Sequence, residues 1–230
     1  MRILAVDTAT EVCGIGLSAD GQSRLELVFS RGMTHTKVLM EGIHTILSLA
    51  KWEPTELDAL AVTRGPGSFT GLRIGISTMK GIARSLDKPL VGVSSLEVLA
   101  RQAPQGQPLV CPMIDARRKE VYWSLYRQSE DGLMQTHPEQ AGSAIDALDQ
   151  VDGRCLFIGN GAVLYAPVIN RQRQDAVFMG ETELNAPRPS IVAVLARELM
   201  AKGLCEDIAL FKPVYLRKSD AEQMRRDTSA

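Results

Sequence analysis

Apolar and polar positions along the chain repeat with two periods, in a definite order. Ile3 to Val6 is a continuous apolar run closed by Asp7, the pattern of a buried strand. Cys13 to Leu17 and Leu25 to Phe29 predict two more strands, with the hairpin signal Asp20-Gly21 between them. From Thr34 to about Lys51 the period becomes helical. Leu57 to Thr63 reads as a strand, Phe69 to Leu86 as a helix, Pro89 to Val93 as a strand and Leu96 to Ala103 as a helix. Gln102 to Pro108 has the composition of a linker. The pattern then restarts: Leu109 to Ile114 is again an apolar run closed by an aspartate, Asp115. Glu120 to Tyr126 predicts a strand and Leu133 to Thr136 a further one. Ala144 to Leu148 predicts a short helix, Leu156 to Gly159 a strand and Ile191 to Ala201 a helix.

The first half therefore has the order βββαβαβα, and the second half repeats it weakly. Three meandering strands followed by alternating helices and strands is the order of a ribonuclease-H-like domain. Asp7 and Asp115 fall at equivalent strand ends. Strands often end on Asp, so coincidence is the alternative to duplication. A duplicated ribonuclease-H-like core is the architecture of the actin, Hsp70 and sugar-kinase superfamily. The fold class expected is thus α/β, a two-lobed actin-like ATPase (ASKHA) fold. Residues 1–103 form one lobe, 104–218 the other and 219–230 a polar tail. The last helix and strand are available to pack back on the first lobe.

Charge narrows the function classes. Across 230 residues, 26 Lys and Arg face 27 Asp and Glu, leaving a net charge of −1. An independent nucleic-acid binder normally carries a basic excess. The four cysteines, Cys13, Cys111, Cys155 and Cys205, show no CxxC or CxxxC spacing that would suggest a zinc knuckle. The first three lie in or beside apolar runs and are expected as buried free thiols, which suits a reducing cytosol. Asp7 arrives too early for a signal peptide, and no apolar run approaches membrane-spanning length. A cytoplasmic protein is expected.

The densest local signal is Arg64-Gly65-Pro66-Gly67-Ser68-Phe69-Thr70-Gly71, which reads as strand, tight loop and helix start. Glycines permit positive φ and close backbone approach, so such a loop can present amides at a helix N-terminus. The two helices of this half carry surplus apolar surface. In the first, the arc from Val38 through Gly42, Leu49, Ile46, Leu39 and Ile43 to Met40 covers about half the circumference, wider than a surface helix buries. In the second, Leu72, Ile76, Met79, Ala83 and Leu86 form a bulky stripe. Beside it runs a stripe of smaller residues, Gly71, Gly75 and Thr78, continued by Ile82. Small residues let helices approach closely. Val38, Gly42, Leu49, Gly71, Gly75, Thr78 and Ile82 are therefore candidates for a helix-on-helix interface. Burial of both stripes within the monomer is the alternative. His35 and His44 are nine apart on one helix, and His137 falls in an expected turn before Pro138, so none is read as a metal ligand.

The run Gly65 to Gly75 resembles the signature of the TsaB (YeaZ) family. So do Ile3 to Thr10, Ile114-Asp115-Ala116-Arg117, Glu120-Val121-Tyr122-Trp123 and Pro213-Val214-Tyr215-Leu216-Arg217. Residues 128–190 match least. The resemblance implies a bacterial protein needed for threonylcarbamoyladenosine beside the tRNA anticodon. In that system TsaD carries out the transfer, TsaE supplies an ATPase, and TsaB is the non-catalytic partner of TsaD. TsaB also self-associates, and its contact with tRNA is indirect. The catalytic paralogue carries a His-Leu-Glu-Gly-His run where this chain has Ser95-Leu96-Glu97-Val98-Leu99, so Ser95 and Leu99 replace the two metal-binding histidines. No catalytic or metal residue is assigned. If nucleotide binds, the superfamily's loops place it at Asp7, Thr10, Asp115, Gly159 and Gly161. Ala9 stands where a glycine is usual, and Arg117 and Arg118 occupy the second loop. This chain requires no cofactor on this reading, although ATP or ADP could act at the level of the complex. The rival readings are an ATPase or small-molecule kinase using Asp7 and Asp115, a metallopeptidase, and a homodimeric binding module without TsaD.

Overall fold

A computed structural model describes residues 1–29, 34–129, 132–180 and 185–217. The expected tail, 219–230, lies outside the described residues. Two five-stranded mixed sheets carry the molecule. The first comprises β1 (Arg2–Asp7), β2 (Cys13–Ala19), β3 (Gln22–Phe29), β4 (Ala59–Gly65) and β5 (Leu90–Ser94), in the order β3-β2-β1-β4-β5. The second comprises β6 (Leu109–Arg117), β7 (Glu120–Ser129), β8 (Gly132–Gly142), β9 (Leu156–Ile158) and β10 (Val177–Phe178), in the order β10-β9-β6-β7-β8. Read from the opposite edge, the second order repeats the first. In each sheet the first three strands pair antiparallel and the last two join in parallel. The duplication inferred from the two strand–Asp runs is thus a repeated topology: Asp7 and Asp115 lie on the central strands β1 and β6.

Alternation along β1 divides the first core in two. Leu4 and Val6 face α1 (His35–Ala50) and α2 (Phe69–Leu86), whose Leu39, Ile43, Ile46, Leu72, Ile76 and Met79 fill that layer. Ile3 and Ala5 face the other way, against Val192, Ala193, Leu195 and Ala196 of α6 (Pro189–Ala201). The second sheet mirrors this. Cys111, Met113, Trp123 and Phe157 pack on α4 (Ala144–Leu148) and α5 (Asn160–Gln172). Val110, Ile114 and Ile158 pack on Leu96, Leu99 and Ala100 of α3 (Ser95–Arg101). Each half therefore lends one helix to the other's sheet. The helix α3, which the sequence order places with the first half, packs mainly on the second sheet and turns only Val98 to the first, while α6 covers the first.

Two readings of the sequence change. α5 and β10 were not foreseen, because Pro167 and an apolar run with little periodicity hide the helix. β8 is longer than 133–136 and includes His137, so that residue lies in a strand and not in a turn. Pro138 is tolerated there because β8 is an edge strand. Cys13, Cys111 and Cys155 are buried free thiols, while Cys205 is exposed. Among the described residues no helix is long and apolar enough to cross a membrane.

Candidate functional site

The two halves meet over a cleft of about 800 Å³. Its walls are the loop after β1, the first turns of α1 and α2, the β6–β7 hairpin, the start of α5, and Tyr215 and Arg217 from the C-terminal segment. The glycine-rich loop forms one wall, and its local chemistry explains its composition. β4 ends at Gly65, whose φ of +115° excludes most side chains. Ser68 caps α2, its Oγ accepting from the Gly71 amide at 3.2 Å. The Ser68 amide donates to the Ala9 carbonyl at 2.7 Å. A Cβ at Gly67 would lie 2.4 Å from the Ala9 carbonyl oxygen, at Gly71 2.1 Å from that of Thr8, and at Gly75 2.2 Å from Thr8 Oγ1. These glycines let α2 lie directly on the loop after β1. The amides expected to face a ligand at the helix start are partly spent on this contact.

The expected nucleotide residues separate. Thr10 and Asp115 line the cleft. The Thr10 hydroxyl accepts from the Val12 amide at 3.2 Å, and the Thr10 carbonyl pairs with His35 Nε2 at 2.9 Å. Asp115 Oδ1 accepts from the Arg117 amide at 2.9 Å, while Asn160 Oδ1 accepts from the Asp115 amide at 3.0 Å. Gly159 and Gly161 do not face the cleft. A Cβ at Gly159 would stand 2.1 Å from the Met113 carbonyl oxygen and one at Gly161 3.0 Å from Ile114 C, so both serve the packing of α5 on β6.

Asp7 does not reach the cleft either. It is fully buried, on the β1 face that carries Ile3 and Ala5 and is covered by α6. Its Oδ1 accepts from Thr63 Oγ1 at 2.7 Å and from the Ala9 amide at 3.2 Å, while Oδ2 has no hydrogen-bond partner among the described residues. Burial pushes its carboxyl from an ordinary 3.8 up to about 7, against the lowering pull of those two hydrogen bonds. Across the cleft mouth, Glu11 of the first loop and Arg117 of the second pair at 2.8 Å, and Arg117 also lies 3.4 Å from Asp115. These residues do not fit a magnesium–nucleotide held between two aspartates. One carboxylate is sealed away, and carboxylates already occupy the cation on the other loop.

The helix α3 shows the second departure. Ser95 and Leu99, expected from the family resemblance to replace two histidines, are both fully buried, and Leu99 packs on the second sheet. Among the described residues no cluster of three His, Cys, Asp or Glu side chains is placed to hold a metal. His35 lines the cleft and His44 is on the exposed side of α1.

The expected interface needs correction. Val38, Gly42, Gly71 and Gly75 are buried inside the chain: Gly42 makes room for Ile15 and Phe29, and Gly71 and Gly75 make room for Thr8. Small size at these sites serves the monomer. Leu49, 62% exposed, and the half-buried Thr78 and Ile82 remain available on the outside of α1 and α2, with the exposed Met40.

The model of the TsaD family, tRNA N6-adenosine threonylcarbamoyltransferase, matches residues 32–224. The chain is similar to the tRNA threonylcarbamoyladenosine biosynthesis protein TsaB of Bacillus subtilis (strain 168), at 35% identity over 225 residues and 96% of each chain. Its similarity to TsaB of Escherichia coli (strain K12) is 32% identity over 231 residues and 96% of each. YeaZ from Pseudomonas aeruginosa superposes with a TM-score of 0.79 at 30% identity, covering 94% of this chain and 99% of that one. The chain belongs to the TsaB (YeaZ) family. Family members are named for tRNA threonylcarbamoyladenosine biosynthesis. The ethanolamine utilization protein EutJ from Carboxydothermus hydrogenoformans, at TM-score 0.53 and 8% identity, shares the fold alone. So does component A of the Acidaminococcus fermentans (R)-2-hydroxyglutaryl-CoA dehydratase, at 0.54 and 10%. The TsaB-family chain thus has a two-lobed actin-like fold.

Proposed function

We propose that this chain is a non-catalytic subunit of the tRNA threonylcarbamoyladenosine machinery, which binds TsaD and supports its transfer reaction without performing chemistry itself. The observation that carries this reading is the fate of the positions where the superfamily keeps its catalytic groups. Asp7 is sealed beneath α6, and Leu99 is spent on core packing. A leucine cannot ligate a metal, and a carboxyl without access to the cleft cannot organise a nucleotide there. No cofactor is required by the chain on this reading.

The partner surface is the outside of α1 and α2, where Met40 and Leu49 stand exposed and Thr78 and Ile82 half-exposed. Large apolar side chains left on a paired-helix surface suit packing against the equivalent helices of a related fold. A second copy and TsaD would then compete for one surface. The role in the complex is a shift of TsaD toward its active arrangement by helix packing. Size-exclusion chromatography of the purified chain mixed with TsaD tests the reading. Co-elution in one peak, at the expense of any homodimer, is expected, and separate elution at micromolar concentrations contradicts it.

A further inference from the structure

After α6 the chain crosses the molecule along one rim of the cleft. Phe211 is 2% exposed in the first core, and its carbonyl accepts from Lys80 Nζ at 3.1 Å. The Val214 amide donates to the Arg64 carbonyl at 2.7 Å, in a channel kept open by Gly65, where a Cβ would lie 2.5 Å from the Val214 oxygen. Tyr215 stacks on Phe69 with ring centroids 4.6 Å apart, and its hydroxyl accepts from Arg73 Nε at 3.0 Å. All these anchors belong to the first lobe. Two residues later Arg217 reaches the second lobe and donates to the Ala116 carbonyl at 3.2 Å and to Glu120 at 2.8 Å.

We propose that Tyr215 and Arg217 form a strap that sets the separation of the two lobes at the cleft mouth. The helices α3 and α6 tie the lobes at the base of the cleft, where each covers the other half's sheet. The strap ties them at the rim. A second tie at the mouth, Glu11–Arg117, joins side chains 47% and 71% exposed, so salt screens it strongly. The Arg217 side chain is only 16% exposed, and it also binds a backbone carbonyl that cannot rotate away. The hairpin it grips is tight: Arg117, Arg118 and Lys119 all have left-handed backbone, with φ of 62°, 53° and 66°. A grip on Ala116 and Glu120, the two sides of the turn, therefore positions the hairpin as a unit. The strap fixes that unit relative to the first two turns of α2 through Phe69 and Arg73.

The test is a distance measurement by double electron–electron resonance. Nitroxides are placed at Thr36→Cys and Lys119→Cys, exposed positions on the two sides of the cleft, with the exposed Cys205 replaced by Ser. Spectra are recorded on the full chain in roughly 0.5 M salt, where the Debye length is only a few ångströms and the Glu11–Arg117 pair is weakened. A single narrow distribution is expected for the parent. Arg217→Gln, Glu120→Gln and Tyr215→Ala should each broaden it and move it to longer separation. Tyr215→Ala could lower stability, but the Arg217 and Glu120 variants leave Phe211 and the ring stack in place. An unchanged distribution in those two variants overturns the proposal.

Discussion

Asp7→Asn isolates the most unusual electrostatic feature of the fold. The carboxyl is fully buried, one oxygen has no partner among the described residues, and burial raises its titration from 3.8 to about 7. The folded state therefore holds a proton that the unfolded chain releases near pH 4. With a folded value above the unfolded one, the stabilising contribution is complete below the unfolded value and is lost as pH rises through the folded value. At about 1.4 kcal/mol per pH unit, the full interval between those values is worth about 4 kcal/mol. Between pH 5.5 and 8, about 2 kcal/mol of that remains to be lost. Asparagine keeps the shape and an oxygen for Thr63 Oγ1 and the Ala9 amide, but carries no charge at any pH. Urea unfolding of both proteins at several pH values gives the difference in stability, in which other titrating groups cancel. Among those are Glu97 and Glu139, whose carboxyls burial also pushes up. The variant should gain on the parent by about 2 kcal/mol across this range. Parallel curves would show that Asp7 does not titrate there, and an advantage that shrinks with pH would reverse the sign of the reasoning.

Two further substitutions separate packing from partner binding. Gly75→Val forces a side chain against Thr8 Oγ1, 2.2 Å from the position of a Cβ, and should cost about 3 kcal/mol or more in chemical unfolding, so that loss of partner binding follows loss of the fold. Leu49→Glu alters an exposed side chain and should change stability by no more than about 0.5 kcal/mol. Calorimetric titration of that variant with TsaD should show affinity weakened roughly tenfold or more, and unchanged affinity would move the interface elsewhere.

Much of the fold is legible in the residue order, for physical reasons. α2 runs from Phe69 to Leu86 as periodicity places it, because Ser68 caps its start and Asp87 takes the left-handed conformation just past its end. Both aspartate-terminated runs lie on central strands because a chain buried on both faces must be apolar throughout. Periodicity shows which side of a helix is apolar but not which sheet it meets. The exchange of α3 and α6 between the halves is therefore invisible in the sequence. The same limit misassigned Gly42, Gly71 and Gly75. A glycine on a helix face signals close approach, and here the approaching groups are Ile15, Phe29 and Thr8 of the same chain. Asp7 was legible as the end of a strand, but its orientation under α6 depends on a helix more than 180 residues later. The Pro213 to Arg217 run carried a family resemblance without a reason, which the strap contacts supply.

The claim that this chain supports catalysis without performing it is tested most directly by reconstitution. Threonylcarbamoyladenosine formed on tRNA is measured over time with purified TsaD, TsaE and the activated threonylcarbamoyl donor, with and without this chain, and with this chain lacking TsaD. Modification is expected only when TsaD and this chain are both present. Equal product in the absence of this chain, or product formed by it without TsaD, would contradict the claim.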